Sequence, residues 1–366
     1  MIFEKRAFRD FDKTLFLMTL VVLVIGMAAV YSATHPRVSS IAEDYIAKQI
    51  LWVLMGLVLF LVVVSVSYQK FIDISYIFYS VMIIILVLVL IMGRARLGAQ
   101  RWFSIGGFAF QPSEFIKIAL ILALANYCGS HRGTISGFRD FVMCYMILFI
   151  PFGLVLVQPD LGTALTLLPI FFGIVLISGA NIKYIIGLIA AGLAAMPFFW
   201  HFLRDYQKQR LLVFINPNSD PLGAGYTIIQ SKIAVGSGGL VGKGWLNGSQ
   251  GQLNFLPEHH TDFIFSVIGE ELGLLGGLAL VLLYFFIIQR ALRIAALTSD
   301  IYGKAIATGV AMMLSVQVVV NIAMTIGLMP VVGIPLPMVS YGGSSMIATL
   351  FSIGLLINVG MRRSTF

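Results

Sequence analysis

The sequence predicts an all-α polytopic membrane protein with about ten transmembrane helices and one large extracytoplasmic loop between helices 7 and 8. Of its 366 residues, 59% are hydrophobic and only 11% are charged, and the mean hydropathy is +0.97. A soluble domain of this length has no core large enough to bury so much apolar surface, so a lipid bilayer must surround it. The apolar stretches reach the length of a bilayer-spanning helix and lack the alternation of β-barrel strands.

Ten apolar runs follow one another along a single membrane-embedded domain that includes residues 1–366. The first run has no small-residue cleavage site of a signal peptide, so we expect it to stay as an anchor. The runs lie near residues 15–33, 49–67, 72–92, 113–128, 140–157, 162–179, 183–202, 263–289, 304–327 and 340–360.

Residues 203–262 form the one long connection, and they are rich in Gly, Asn, Gln and Pro. A loop of this length with no recognisable elements is usually functional or disordered. Its glycine-rich stretch, residues 236–244, contains Lys243 and could cradle a phosphate group with backbone amides, although it is not a Walker A sequence.

Basic residues predict the orientation, because cytoplasmic loops carry an excess of Lys and Arg. Four of them precede the first run, so we place the N-terminus in the cytoplasm, and ten spans return the C-terminus to the same side. Three arginines then fall in a short outer loop, against the rule. They either bind an outer-leaflet anion or reach the interface from helix ends. The residues concerned are Lys5, Arg6, Arg9 and Lys13 at the N-terminus and Arg94, Arg96 and Arg101 in the outer loop.

Glu114 and Lys117 are ionisable residues inside the fourth apolar run, where charges are costly and indicate function. Their i, i+3 spacing places them on one helix face, where they can pair. Pro112 and Ser113 are typical of the first turn and cap of that helix. The pair is either a purely structural buried ion pair or the lining of a cavity near a substrate.

Asp160 and Asn321 are further polar residues beside or within apolar runs. Asp160 lies in a very short outer turn, where it is either an ordinary helix N-cap or a site residue. Asn321, with Thr325 four residues later, is more typical of hydrogen bonding between helices.

Asp262 is the strongest catalytic candidate, because it precedes the eighth run at the outer interface. Ser266 and Glu270 follow at i+4 and i+8 and extend a polar stripe into the apolar helix. A half-immersed carboxylate can act as a general base on a hydroxyl group. The alternative is a simple N-cap. His259 and His260 could be bases or metal ligands, but adjacent residues point to different faces.

Several ordered sequence blocks resemble the signature of the SEDS (shape, elongation, division, sporulation) family, and they cover nearly the whole chain. Two of the blocks contain the stretches GKGWLNGSQ and LPEHHTDFIF, and these are most similar to the elongation branch of the family rather than its division branch. The blocks are GAQRWFSIGGFAFQPSEFIKI, QPDLGTAL, DYQKQR, DPLGAGY, IIQSKIAVGSGGLVGKGWLNGSQ, LPEHHTDFIFSVIGEELG and PLPMVSYGGSS.

This resemblance implies a peptidoglycan glycosyltransferase of the bacterial cytoplasmic (inner) membrane that polymerises lipid II at the outer face. It implies a class B penicillin-binding protein as partner, together with other membrane proteins of the elongation complex. The family's catalytic aspartate falls on Asp262. Substrate-binding positions fall on Arg101, Glu114, Lys117, Asp160, Arg210 and Lys243.

The expected reaction is an attack of a sugar 4-hydroxyl on an anomeric carbon, with Asp262 as base and basic residues at the departing pyrophosphate. The alternatives are a lipid II flippase and a scaffold without activity. The sequence contains no dedicated metal-ligand cluster, yet a divalent cation (Mg or Mn) could bridge Asp262 and the pyrophosphate. The net charge of +8 suits a membrane surface or an anionic lipid, and no soluble basic domain is present that would bind nucleic acid.

Overall fold

The computed structural model describes residues 10–35, 45–96, 99–105, 108–131, 135, 137–203, 205–221, 223–252, 255–257 and 259–362. Lys5, Arg6, Arg9, Arg204, Glu258 and Arg363 lie outside these residues. The helices are α1 (Lys13–Thr34), α2 (Tyr45–Ser65), α3 (Tyr68–Asp73), α4 (Ser75–Met92), α5 (Pro112–Ser130), α6 (Phe138–Val157), α7 (Leu161–Ile177), α8 (Ile182–Phe202), α9 (Asp205–Ile215), α10 (Ala224–Ser237), α11 (Ser249–Gln252), α12 (Ile264–Leu297), α13 (Ile301–Thr325) and α14 (Gly343–Arg362).

A hydrophobic helix lies at each of the ten predicted runs, and the polytopic all-α prediction is confirmed. Within the described residues, seven helices are long and apolar enough to cross a membrane: α1, α2, α4, α6, α12, α13 and α14. Helices α7 and α8 contribute shorter apolar segments, and α5, which carries Glu114 and Lys117, completes the ten.

Helices α13 and α14 form the interior of the bundle. In their most apolar stretches 67% and 89% of the residues are buried, against 22% for α4. The peripheral helices instead expose large apolar side chains, among them Leu17, Val58 and Ile77. Such side chains are stable only against lipid, so the bilayer faces the outer surface of this bundle.

Helix α12 is broken at Gly273, whose backbone has a φ of 65° and a ψ of −163°. The amides of Leu274 and Leu275 donate to the carbonyls of Gly239 and Leu240, at 2.9 and 3.1 Å. The glycine-rich stretch of the long connection therefore fills the break and satisfies backbone groups that a kinked helix leaves unpaired.

The long connection has secondary structure of its own, because α9, α10 and α11 lie within it. Helix α10 packs along the first part of α12, and Ser231 Oγ lies 2.6 Å from Ser266 Oγ and donates to the carbonyl of Thr325, also at 2.6 Å. The expectation of a loop without elements of its own was wrong, since apolar residues of α10 pack on the bundle.

A small antiparallel sheet precedes α5, with strands β1 (Arg94–Arg96), β2 (Ala99–Ile105) and β3 (Phe108–Phe110) in the order β1-β2-β3. Trp102 pairs with Arg94, and Phe103 pairs with Phe110. The sequence analysis described this segment only as a short loop. The sheet, the connection formed by 203–262 and the turns at 158–160 and 327–342 lie at one end of the bundle, which we call the loop end.

A network of hydrogen bonds connects several helices at the opposite end of the bundle. Asn358 donates to the carbonyls of Val63 and Val66, and its Oδ1 accepts the amide of Tyr68 at 3.2 Å. The Tyr68 hydroxyl donates to Asp300 Oδ2 at 2.9 Å. Burial raises the pKa of Tyr68, and the adjacent Asp300 carboxylate raises it further, so the phenol stays a donor.

Candidate functional site

Asp262 lies at the loop end, half-buried, immediately before the first turn of α12. The N-cap position is Phe263, so the alternative of a simple N-cap for Asp262 is wrong. Asn321 Nδ2 donates to the backbone carbonyl of Asp262 at 2.9 Å and to that of Ile334 at 2.7 Å. Asn321 therefore links the loop that contains Asp262 to the segment that contains Ile334.

The segment 333–341 packs directly against the Asp262 loop. Gly333 has a φ of +72°, and a Cβ placed on it would lie 3.3 Å from Asp262 Oδ2. Ser340 Oγ donates to the carbonyl of Thr261 at 2.6 Å, and the amide of Tyr341 donates to the carbonyl of His260 at 2.9 Å. This segment thus binds the backbone of the two residues before Asp262 and lies beside its carboxylate.

Asp160 is both a helix N-cap and the partner of an arginine. Its Oδ1 accepts the amide of Thr163 at 3.1 Å, which confirms the N-cap interpretation. The same oxygen lies 3.5 Å from Arg101 Nη1, and Asp160 is 1% exposed whereas Arg101 is 21% exposed. The site interpretation and the capping interpretation of Asp160 are therefore compatible, because Oδ1 both accepts the Thr163 amide and lies beside Arg101.

Arg101 and Arg210 both line a single pocket. Arg101 Nη2 and the hydroxyl of Tyr206 both donate to the carbonyl of Pro159. The guanidinium of Arg210 lies 5.7 Å from the centre of the Tyr206 ring, and its Nη1 donates to the carbonyl of Val331 at 3.2 Å. The lining residues are Arg101, Pro159, Leu161, Tyr206, Gln207, Arg210, Leu211, Pro330, Val331 and Val332.

One chain segment, residues 331–333, connects the pocket with the surroundings of Asp262. Val331 and Val332 line the pocket, and the next residue, Gly333, lies beside the Asp262 carboxylate, since a Cβ placed on it would be 3.3 Å from Oδ2. Because consecutive Cα atoms are about 3.8 Å apart, Asp262 Oδ2 lies within roughly 9 Å of the Cα of Val332. The carboxylate of Asp262 therefore lies close to a chain segment that lines the two-arginine pocket.

Glu114 and Lys117 form the expected pair, with 2.9 Å between Lys117 Nζ and Glu114 Oε2. Both side chains are buried. Pro112 occupies the first turn as predicted, but Ser113 is not the cap, because the N-cap position is Gln111. Ser113 Oγ instead approaches Asp160 Oδ2 at 3.4 Å. The start of α5 is thereby linked to the Arg101–Asp160 pair.

Lys243 lies in the loop that fills the α12 break, and its Nζ is 2.6 Å from Glu270 Oε1. The same oxygen accepts the amide of Ser249 at 2.8 Å. The neighbouring Glu271 accepts the Ser32 hydroxyl at 2.5 Å. This glycine-rich stretch thus binds carboxylates of the chain itself, and the amides of Lys243 and Gly244 donate to the Glu270 and Glu271 carbonyls rather than pointing to a phosphate.

Sequence reasoning missed the contributions of Tyr206 and Gly333. Tyr206 precedes Arg210 by four residues on α9, a spacing that places both on one helix face. The sequence near Gly333 does not indicate that it lies beside Asp262, because the two residues are 71 positions apart. No three His, Cys, Asp or Glu side chains come together as a metal site in the described part of the chain.

Comparisons with known proteins agree along almost the full length. The profile of the FtsW/RodA/SpoVE family, described as "Cell cycle protein", matches residues 12–365. The chain is 41% identical to the peptidoglycan glycosyltransferase MrdB of Escherichia coli K12 over 98% of its own length and 97% of that protein.

Two solved structures have the same fold. One belongs to a study of the structural coordination of polymerization and crosslinking by a peptidoglycan synthase complex. It has a TM-score of 0.82 at 33% identity and covers 97% of this chain and 99% of that chain. The other is the rod shape determining protein RodA of Thermus thermophilus. It has a TM-score of 0.72 at 30% identity and covers 96% of this chain and 97% of that chain.

Proposed function

Because the chain belongs to the FtsW/RodA/SpoVE family and is a peptidoglycan glycosyltransferase, we propose that it polymerises lipid II with Asp262 as the general base. The observation that supports this assignment is that residues 331–333 run from the two-arginine pocket to Asp262. The carbonyl of Val331 accepts a hydrogen bond from Arg210, and Gly333, two residues later, lies beside the Asp262 carboxylate. The same short segment thereby lies beside both the proposed base and the cationic site for a leaving group.

The proposed reaction is a displacement with inversion at an anomeric carbon. The 4-hydroxyl oxygen of the acceptor sugar attacks, and its proton passes to a carboxylate oxygen of Asp262. The bond between the donor's anomeric carbon and its lipid-linked pyrophosphate breaks, and the bond electrons leave with the pyrophosphate. The guanidinium groups of Arg101 and Arg210 stabilise the negative charge that develops there.

Asp160 serves this reaction by orienting Arg101. Its carboxylate is buried and caps α7, so it is a fixed anchor for the Nη1 end of the guanidinium. Glu114 and Lys117 shape the cavity rather than perform chemistry, because each is buried against the other. Lys243 acts through Glu270 by holding the connection in the α12 break.

A divalent cation, if bound, would be held by Asp262 and would offset the negative charge of the departing pyrophosphate. The described residues hold no group of three carboxylate, histidine or cysteine side chains for such an ion. Magnesium keeps several waters and binds substrate phosphates together with one or two carboxylates. The residues present therefore fit a cation that arrives with the substrate better than a resident one.

An apolar groove between α1 and α12 provides a seat for the prenyl chain of the substrate. It measures about 710 Å³, and its lining includes Ile25, Ala28, Val267 and Ile268. Trp245 of the long connection closes one side. Placed toward the bilayer, this groove would hold a hydrocarbon tail while the sugars reach the loop end.

We infer that the loop end faces the periplasm and that both termini are cytoplasmic. A class B penicillin-binding protein would be the crosslinking partner, since a structural relative is described as part of a complex that coordinates polymerization and crosslinking. Other membrane proteins of the elongation complex would join this pair.

Polymerisation of purified lipid II by the chain and its crosslinking partner tests the proposal. We expect glycan polymer from the wild type and none from Asp262→Asn, which removes the base but keeps the shape. Asp140→Asn, the same change in the first turn of α6, should leave polymer formation unaltered. Normal polymer from Asp262→Asn would overturn the assignment of the base. No polymer from a folded, partner-bound wild type would favour a lipid II flippase, which reconstituted liposomes would reveal.

A further inference from the structure

Three aromatic rings from separate segments of the loop end meet close to Asp262. They belong to Tyr45 in the first turn of α2, His260 two residues before Asp262, and Tyr341 just before α14. The ring centre of Tyr45 lies 4.9 Å from that of His260 and 5.1 Å from that of Tyr341, and 5.8 Å separates the other two. Each ring therefore packs on both of the others, and we call this group the aromatic cluster.

Backbone hydrogen bonds hold the aromatic cluster in place. The amide of Tyr341 donates to the carbonyl of His260 at 2.9 Å, which joins their two segments directly. On α2, one turn after the first ring, Gln49 Nε2 donates to the carbonyl of Ser340 at 3.4 Å. All three segments are therefore linked to one another, and the rings form one preorganised surface rather than three independent side chains.

The aromatic cluster is accessible at the same end of the bundle as the proposed base. Tyr45, His260, Tyr341 and Asp262 are all half-buried, so part of each remains open to the outside. Because consecutive Cα atoms are about 3.8 Å apart, the Cα of His260 lies within about 7.6 Å of the Cα of Asp262. The cluster is therefore close enough to the carboxylate for one bound sugar to contact both.

The reaction joins two sugars, and the two surfaces near Asp262 differ in their chemistry. The pocket of Arg101 and Arg210 is cationic and suits the pyrophosphate of the donor. The aromatic cluster consists of two phenols and an imidazole, without a carboxylate, ammonium or guanidinium group, and suits an uncharged ring. We propose that the aromatic cluster is the acceptor subsite, which binds the N-acetylated sugar whose 4-hydroxyl attacks. This inference rests on the polymerase function proposed above.

An aromatic ring binds a sugar through the C–H groups on one sugar face. A pyranose chair with equatorial substituents directs its axial C–H bonds to the two faces, and the negative face of an aromatic ring attracts such C–H groups. Phenol hydroxyls and imidazole nitrogens donate and accept hydrogen bonds, as sugar hydroxyls and N-acetyl groups require. The cluster would thus hold the sugar and leave its 4-hydroxyl to Asp262.

Binding of a lipid-free disaccharide tests the subsite without any polymerisation. The probe is N-acetylglucosaminyl-N-acetylmuramic acid, added to the full chain in lipid nanodiscs, and saturation-transfer NMR identifies the sugar protons that contact the protein. We expect transfer to ring C–H protons of the N-acetylglucosamine. The signal should persist in Tyr45→Phe, which keeps the ring, and fall about three-fold or more in Tyr45→Leu and Tyr341→Leu.

The matched control is Tyr31→Leu, the same change in a ring at the end of α1. Tyr31 packs on His35 and on Trp245, with ring centres 5.4 and 5.8 Å away, and is not part of the aromatic cluster. This variant should keep the disaccharide signal. Equal losses in Tyr31→Leu and Tyr45→Leu would overturn the assignment of the subsite to the cluster.

Initial rates with lipid II, in the complex with the crosslinking partner, give the second measurement. Tyr45→Leu and Tyr341→Leu should raise KM about three- to ten-fold, as for the loss of one aromatic contact. Turnover should stay within about two-fold, because the contact is made equally before and during the reaction. A merely structural role for the rings would lower the amount of folded protein, measured by thermal unfolding, and leave KM unchanged.

The outcomes separate this inference from the polymerase function. A wild-type KM in both leucine variants would overturn the acceptor subsite even if the wild type makes polymer. Saturation confined to the N-acetyl methyl groups of the probe would overturn stacking on a ring, whichever variants fold. A ring-proton signal that depends on Tyr45 and Tyr341, with no polymer from a folded, partner-bound wild type, would support sugar binding here and contradict the polymerase function.

Discussion

Asn321 holds the Asp262 loop to the segment 333–341, because its Nδ2 donates to the carbonyl oxygens of Asp262 and Ile334 at 2.9 and 2.7 Å. The amide is fully buried in α13. One side chain therefore fixes the distance between the proposed base and the chain segment that leads to the arginine pocket.

Asn321→Ala should lower polymerisation by about ten- to a hundred-fold, because it frees the aspartate's backbone from the wall that orients it. Two buried carbonyls lose a donor, which should cost about 1–3 kcal/mol of stability. Initial rates with lipid II and thermal unfolding in detergent measure both effects. Ser315→Ala, which removes only a hydroxyl bonded to Ala311 within the same helix, is the control. Equal rates for the two variants would show that Asn321 does not position the base.

Gly333→Ala should impair catalysis more than folding. The φ of +72° strains any residue with a Cβ, and that Cβ would lie 3.3 Å from Asp262 Oδ2. Gly239→Ala is matched for the strain, since its φ is +55° and nothing lies within 4 Å of the added methyl. Both variants should lose about 1 kcal/mol or more of stability. Only Gly333→Ala should lower the turnover rate at a given level of folded protein. A similar rate in both variants would mean that contact with Asp262 is immaterial.

Hydropathy predicted the helices because each of the ten runs is a local property of the chain. The pair Glu114–Lys117 and the Asp160 cap were predictable for the same reason, since each depends on residues three apart. The partners of Arg101 and Lys243 were not, because Asp160 and Glu270 lie on other elements. The phosphate cradle expected of residues 236–244 was wrong for the same reason. Nothing in that stretch of sequence indicates that it fills the break in α12 at Gly273. The three strands were missed because each is short and none shows a long alternating pattern.

Arg101→Lys tests whether two separate guanidinium contacts matter. Arg101 reaches Asp160 through Nη1 and the carbonyl of Pro159 through Nη2, and an ammonium group cannot reproduce this fork. We expect Arg101→Ala to lower polymerisation about a hundred-fold, in line with the loss of a charge-stabilising donor, and Arg101→Lys to lie between Ala and wild type.

The control for Arg101 is Arg139→Ala, an exposed cation in the first turn of α6. It changes the net charge equally and should leave the rate unaltered. A lysine variant with full activity would show that charge alone is sufficient at position 101, and the role of Asp160 as an orienting anchor would be withdrawn.

The Lys243–Glu270 pair distinguishes a structural lysine from one that binds substrate. Lys243→Met leaves Glu270, which is 1% exposed, without its cation. Because the lysine is 31% exposed, water can compensate in part, and we expect a loss of about 1–2 kcal/mol rather than the full cost of a buried pair. Glu270→Gln alone should be destabilising by a similar amount. The double variant Lys243→Met/Glu270→Gln should regain most of the lost stability, because no unpaired charge remains.

If Lys243 acts only through Glu270, the double variant should also recover polymerisation, measured as initial rate per folded, partner-bound protein. Recovery of the melting temperature without recovery of the rate would assign the ammonium group to the substrate.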